Sequence, residues 1–405
     1  MKALGPIPAG FDADGDGRLT VGGRDAETLV SEAGGTPLFV YDTRRVADQV
    51  SRFRTAFAGV ALHYAVKANP YAPLLEAMAA MADGFDTAST GELGRVAHLG
   101  LPISFAGPGK RDKELETAIR AGVTINLESE GEAERALDIC AREGLTAKLA
   151  VRVNPPFGLK GSGQKMGGLP SQFGIDHDRT PALIRRIVEA GADWRGLHIF
   201  AGSQALHSDA LIELQRETVE LAATIAEEAG HAPPEVNLGG GFGIPYFAKD
   251  QPLDIEAVGE ALAKTLADRP KVLANTVFAI ELGRWLVGEA GVYLTRIVDR
   301  KESRGRTFLV TDGGLQHQLA ASGNFGQLLR RNYPVAIANR FGAAAEEEAT
   351  ITGCLCTPLD LLADEAKLPR AEVGDLVAIF CSGAYGLSAS PTAFLSQPMA
   401  REILI

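Results

Sequence analysis

His63-Tyr64-Ala65-Val66-Lys67-Ala68-Asn69-Pro70 places a lysine at the end of an apolar run that reads as a buried strand. An ammonium in that position loses hydration, which lowers its pKa and frees the amine to attack an aldehyde. The plainer alternative is a lysine that snorkels to the surface from a strand end. Two later stretches favour the reactive reading. Gly239-Gly240-Gly241 follows Val236-Asn237-Leu238 where a strand would run into a phosphate-binding loop, and Glu281-Leu282-Gly283-Arg284 closes another strand. Successive glycines let several backbone N–H groups approach one anion closely.

From about Thr36 to Leu286 short apolar runs alternate with helix-like stretches, the pattern of a parallel α/β domain. Strands are predicted at 38–41, 62–66, 84–86, 103–105, 124–126, 147–153, 196–200, 235–238 and 276–281. Three-to-four spacing of Ala, Leu, Ile and Val predicts helices at 73–81, 113–121, 130–143, 180–190 and 208–229. Roughly eight strand–helix repeats fit a TIM-type (β/α)8 barrel, and a doubly wound sheet has the same periodicity. The placement of the chemistry selects the barrel. Lys67, Gly239 to Gly241 and Arg284 all fall at the C-terminal ends of predicted strands, where barrel active sites gather. After Leu286 the rhythm changes to short β-rich segments at 292–299, 307–311, 349–354, 376–380 and 401–405, separated by turns such as Asp312-Gly313-Gly314. The expected organisation is an N-terminal segment 1–35 with one short strand at 18–21, a barrel 36–286, and an antiparallel β domain 287–405.

With 405 residues, 46% hydrophobic and 22% charged, the chain can bury a large core. A net charge of -11, with Arg185-Arg186 and Arg330-Arg331 only as isolated pairs, argues against a nucleic-acid surface. The acidic start Asp12-Ala13-Asp14-Gly15-Asp16 replaces the apolar run of a signal peptide, and no stretch suits a membrane span, so a cytoplasmic protein is expected. Four cysteines make no disulfide framework. Cys354-Leu355-Cys356 lacks a second ligand pair for zinc, and the acidic start carries Gly23 where a calcium loop needs glutamate, so a tight turn and no metal are expected.

The stretch Tyr64 to Pro70, the segment Gly84-Phe85-Asp86-Thr87-Ala88-Ser89 with Gly91-Glu92-Leu93, the run Leu238 to Tyr246, Glu281 to Arg284, and Gly383-Ala384-Tyr385-Gly386 lie in one order along the whole chain. Together they resemble the fold-type III pyridoxal-phosphate decarboxylases, the group of the diaminopimelate, ornithine and arginine decarboxylases. The resemblance implies a homodimer, pyridoxal 5'-phosphate as cofactor and decarboxylation of an amino acid. Lys67 would join the cofactor's aldehyde, and Glu281 would face the pyridine nitrogen and keep the ring cationic. The phosphate would lie against Gly239, Gly240 and Gly241, with Ser203, Gly283, Arg284 and Tyr385 around it. Asp86, Glu92 and Arg152 match the family's supporting polar positions. The N-terminal segment would join the C-terminal domain.

The departures concern the ring face and the substrate. Relatives stack a histidine on the cofactor before Gly-Ser-Gln; here Phe200 holds that position and His198 lies two residues earlier on the same strand face. Cys356 aligns with the cysteine that reaches the neighbouring subunit's site and helps return a proton to the substrate. The acid that usually follows is Thr357, with Asp360 at a later aspartate position. Past Asp312 the Arg-Pro-x-x-Tyr of diaminopimelate decarboxylases gives way to Gln316-His317-Gln318-Leu319. Asp312, Thr357 and Asp360 are therefore the expected substrate positions, without the usual charges for a distal ammonium and carboxylate. Cys356 to Asp360 and the opening Ile7 to Asp12 are similar to decarboxylases associated with exosortase A gene clusters, which accompany an acyl carrier protein. That points to a free or carrier-bound amino acid feeding exopolysaccharide or secondary metabolism. Diaminopimelate decarboxylation, racemisation on the same barrel and a non-catalytic regulatory role are the alternatives, in that order.

Overall fold

The computed structural model describes residues 2–159, 164, 165, 167–327 and 329–405. Its contacts divide the chain into two compact units: Gln49–Gly243 with Pro252–Gly283, and Met1–Asp48 with Ile244–Gln251 and Arg284–Ile405. The first unit is a closed parallel barrel. Its strands are Ala61–Ala65, Gly84–Thr87, Ile103–Phe105, Thr124–Leu127, Lys148–Asn154, Asp193–Ile199, Glu235–Asn237 and Val277–Leu282. Each pairs in parallel with the next, and the last returns to the first with Glu281 opposite His63 and Leu282 opposite Tyr64. These strands are near-continuous apolar runs because both faces are covered, one by the barrel interior and one by helices. Helix starts are set by side-chain caps: Ser89 accepts from the Glu92 N–H and Ser129 from the Glu132 N–H, each 3.1 Å away. The C-terminal strand ends, where the caps and turns sit, form the functional mouth.

The other unit is built on a mixed sheet. Gly291–Ser303 is its long central strand, antiparallel to Leu38–Tyr41, to Leu376–Ile379 and to Arg306–Thr311. Phe11, Leu19, Val21, Leu38, Val40, Val292, Leu294 and Phe380 share its core. Two expectations need correction here. Leu38–Tyr41 was predicted as a barrel strand, yet it lies in this sheet between Gly291–Ser303 and Arg401–Leu404. Four consecutive buried residues describe any strand covered on both faces, so periodicity could not say which sheet it joins. The domain was also expected to be antiparallel, but Arg306–Thr311 runs parallel to Glu347–Thr352, and Leu38–Tyr41 parallel to Arg401–Leu404. In the acidic N-terminal turn, Asp14 Oδ1 accepts the Asp16 and Arg18 N–H groups, both at 2.8 Å. Among the described residues no helix is long and apolar enough to cross a membrane.

Candidate active site

The first barrel strand stops at Ala65, and Lys67 stands in a short 3-10 turn, Val66–Ala68, between two buried neighbours. Its side chain is 41% exposed, which corrects the expectation of a desolvated amine. What marks it instead is a partner: Nζ lies 3.6 Å from Asp86 Oδ2, and Asp86 is 1% exposed on the second strand. Ser104 Oγ donates to the other Asp86 oxygen at 3.0 Å. Burial pushes the Asp86 carboxyl up, with Glu281 adding to the rise and Lys67 opposing it. The Phe200 ring centroid is 5.8 Å from the Lys67 ammonium, so the residue predicted at the stacking position faces the lysine.

Glu281, near the end of the eighth strand, is 4% exposed. His198 Nε2 lies 3.0 Å and Asn237 Nδ2 3.3 Å from its Oε2. Burial works against its ionisation, but the His198 imidazole, Lys67 and Arg152 outweigh that cost and hold the carboxyl well below its ordinary range. His198 thus has a definite polar partner, a role the sequence left open. Glu92 sits on the helix after the second strand, where its Oε2 accepts the Ala88 N–H at 2.7 Å.

The glycine turn is required by the chain's own backbone. A Cβ on Gly239 would lie 2.5 Å from Ile199 O, one on Gly240 1.9 Å from Glu281 O, and one on Gly241 2.2 Å from Gly202 O. The turn is therefore drawn against the ends of the sixth and eighth strands, and Gly239 and Gly241 have φ of +68° and +79°. Ser203 pairs with Gln164 beside it. A Cβ on Gly283 would meet the Ala68 Cβ at 2.6 Å, so glycine there lets the eighth strand's end close on the lysine turn.

Arg152, on the fifth strand, belongs to a neighbouring cluster that the sequence did not reveal. It bonds Glu128 Oε1 at 2.9 Å, while Glu128 also accepts the Gly107 and Gly174 N–H groups. Lys110 donates to Glu132 at 2.7 Å and to the Gly107 and Asn126 carbonyls. The signal available was the Ser129-x-x-Glu132 pattern, a repeat of Ser89-x-x-Glu92, which places a carboxylate at the same point after two strands.

In the other unit, Arg284 Nη1 donates to Tyr246 Oη at 2.8 Å, and its guanidinium stacks 4.6 Å over the Tyr385 ring. Asp312 accepts from Thr36 and Thr295 hydroxyls and from the Arg296 N–H. Asp360 is 2% exposed and accepts the Leu315 and Leu355 N–H groups at 2.7 and 2.9 Å. Gly314 and Gly353 close around it, since a Cβ on either would fall within 2.4 Å of its carboxylate. Both aspartates thus tie loops together; Asp312 and Thr357 are half-buried, and Asp360 is buried. Cys356 is exposed and Cys354 partly buried, its thiol accepting from Gln316 Nε2.

Residues 43–288 match the pyridoxal-binding domain of the pyridoxal-dependent decarboxylases. The chain is 35% identical over 379 residues to an L-glutamyl-(BtrI acyl-carrier protein) decarboxylase of Niallia circulans, covering 91% of this chain and 88% of that protein. It is 31% identical to a diaminopimelate decarboxylase of Archaeoglobus fulgidus, over 96% of this chain and 92% of the relative. Among solved structures, a diaminopimelate decarboxylase of M. jannaschii in complex with L-lysine superposes with a TM-score of 0.85 at 26% identity, covering 99% of this chain and 92% of that one. The barrel residues fit pyridoxal phosphate: an accessible primary amine, a buried carboxylate held ionised, and a glycine turn at the mouth.

Proposed function

We propose, for a chain that belongs to the pyridoxal-dependent decarboxylases, that its amino-acid substrate is tethered through its far end to an acyl carrier protein. The activity is pyridoxal-phosphate-dependent decarboxylation of an amino acid. When bound, the cofactor supplies the cationic ring that takes up the electron pair left at Cα as carbon dioxide departs. The protein's share is positional. Lys67 would hold the cofactor, Asp86 would orient the lysine side chain, and Glu281, supported by His198, would supply an ionised carboxylate to the pyridine nitrogen. Phe200, whose ring faces Lys67, would offer an apolar contact without a proton to give. Cys356, contributed by a second copy in a homodimer, returns the proton to Cα.

The reaction needs a free α-carboxylate and a free α-amine, so a tether can sit only on a distal carboxyl, and acylation there removes its charge. The observation that carries the reading is the loss of charge at the substrate positions: Thr357 stands where an acid is expected, and Asp360 is occupied by the Leu315 and Leu355 amides. A hydroxyl can bond a thioester or amide carbonyl but does not offset the desolvation of an ammonium. The likeness to a decarboxylase of an L-glutamyl carrier protein supports the same substrate class. A product entering exopolysaccharide or secondary metabolism, made in the cytoplasm, follows from the exosortase-associated resemblance. Release of carbon dioxide should be compared for a glutamyl-carrier thioester and free meso-diaminopimelate. The expected kcat/KM ratio is about 100-fold or more in favour of the thioester. Efficient turnover of free diaminopimelate would return the chain to the other branch of its family.

A further inference from the structure

We infer that Asn237 is a positioning residue that ties Glu281 to the glycine turn, fixing the distance between the ring-facing carboxylate and the phosphate cradle. The inference rests on the cofactor roles proposed for Glu281 and Gly239. Asn237 ends the seventh barrel strand and is 4% exposed. Its Oδ1 accepts the Gly239 N–H at 2.9 Å, and its Nδ2 donates to Glu281 Oε2 at 3.3 Å. The amide's orientation is dictated by its partners. Only the oxygen can accept from a backbone N–H, so the nitrogen is left facing the carboxylate, which needs a donor.

The backbone closes the ring, since the Glu281 N–H donates to Gly239 O at 2.9 Å. There is no slack in the turn, because Gly239 and Gly240 already pack against Ile199 and Glu281 carbonyls as closely as a missing Cβ allows. A shift of the Asn237 side chain must therefore be felt at both ends. His198 supplies the other bond to Glu281 through Nε2, and its Nδ1 is buried without a partner among the described residues. Asn237 also lines a cavity of about 60 Å³ with His63, Ser104, Asn126 and apolar neighbours such as Ile103 and Leu197, and the His63 Nδ1 is buried without a partner among the described residues.

Aspartate is the informative replacement. It keeps an acceptor for Gly239 but sets a like charge against Glu281, which favours protonation of the pair. Alanine removes both bonds. Apo Asn237→Asp, Asn237→Ala and Glu281→Gln chains should be titrated with pyridoxal phosphate, pyridoxal and inorganic phosphate, with thermal unfolding confirming the fold. Glu281→Gln should weaken pyridoxal and pyridoxal phosphate and leave phosphate unchanged. Asn237→Asp should do the same, by about tenfold, with phosphate held within about twofold. Asn237→Ala should weaken all three. If Glu281→Gln weakens the cofactor while Asn237→Asp binds it like wild type, Asn237 positions nothing. If Glu281→Gln itself leaves pyridoxal binding intact, the role assigned to Glu281 is wrong and the inference falls with it.

Discussion

Two lysine–carboxylate pairs stand at the mouth of the same barrel, and they are built for opposite purposes. Lys110 and Glu132 are each 2% exposed and 2.7 Å apart, with the ammonium's other protons donated to the Gly107 and Asn126 carbonyls. Lys67 and Asp86 are 3.6 Å apart, with the carboxylate buried and the lysine 41% exposed. Burial alone would nominate Lys110 as the reactive amine, and it is desolvation that pushes its pKa down. Yet every Lys110 proton has a fixed acceptor, so the amine cannot swing toward a ligand. A reactive lysine needs an oriented partner and an open side. Lys67 has both.

The comparison breaks most visibly by removing each amine in turn. Lys67→Ala should abolish turnover and the visible absorbance of bound cofactor, while the cofactor-free chain should lose less stability than with Lys110→Met, because the lysine end of this pair is open to solvent. A colourless but active Lys67→Ala enzyme would contradict the assignment. Lys110→Met should do the reverse. It strands the buried Glu132 without its cation, while Glu128 keeps Arg152, and urea unfolding should lose about 3–5 kcal/mol. Cofactor binding, measured on the fraction still folded, should persist.

Acid sharpens the contrast between carboxylates. Glu281 and Glu128 are held below their ordinary range, by the His198 side and by Arg152 with Lys110 respectively, each against desolvation. Groups lowered in the folded chain contribute stability that is complete above the unfolded pKa, about 4.3, and is lost as pH falls through the folded value. Asp86 and Glu132 are raised, first by burial, so their contribution has the opposite sign and declines as pH rises. The stability difference between wild type and Glu281→Gln should therefore hold steady above about pH 5 and shrink as pH falls below about 4.3, whereas that for Asp86→Asn should not shrink on acidification. Unfolding curves at several pH values check both. The smallest effect expected is that of Ser104→Ala, which frees one Asp86 oxygen: about 1 kcal/mol of stability and a modest fall in kcat.

Much of this was legible in the sequence. The alternation of runs and the position of Lys67, Gly239 to Gly241 and Arg284 at strand ends located the barrel and its mouth, because strand ends and glycine turns leave local signatures. What the sequence hid was pairing at a distance. Leu38–Tyr41 has the apolar run of a barrel strand, and only its partners Gly291–Ser303 and Arg401–Leu404 place it elsewhere. The exposure of Lys67 depends on a turn three residues long. Asn237 and Lys110 carry no motif, and their roles come from Glu281 and Glu132, 44 and 22 residues away. Asp360 looked like a substrate acid because nothing in its local sequence reveals the two amides that occupy it.

The central claim is that Lys67, and not the more buried Lys110, is the amine that holds pyridoxal phosphate. Borohydride reduction of the holoenzyme fixes the cofactor to its lysine, and peptide mapping by mass spectrometry then reads the position. The account predicts the added mass on the peptide containing Lys67 and none on the peptide containing Lys110. Label on Lys110, on another lysine, or on none would contradict it.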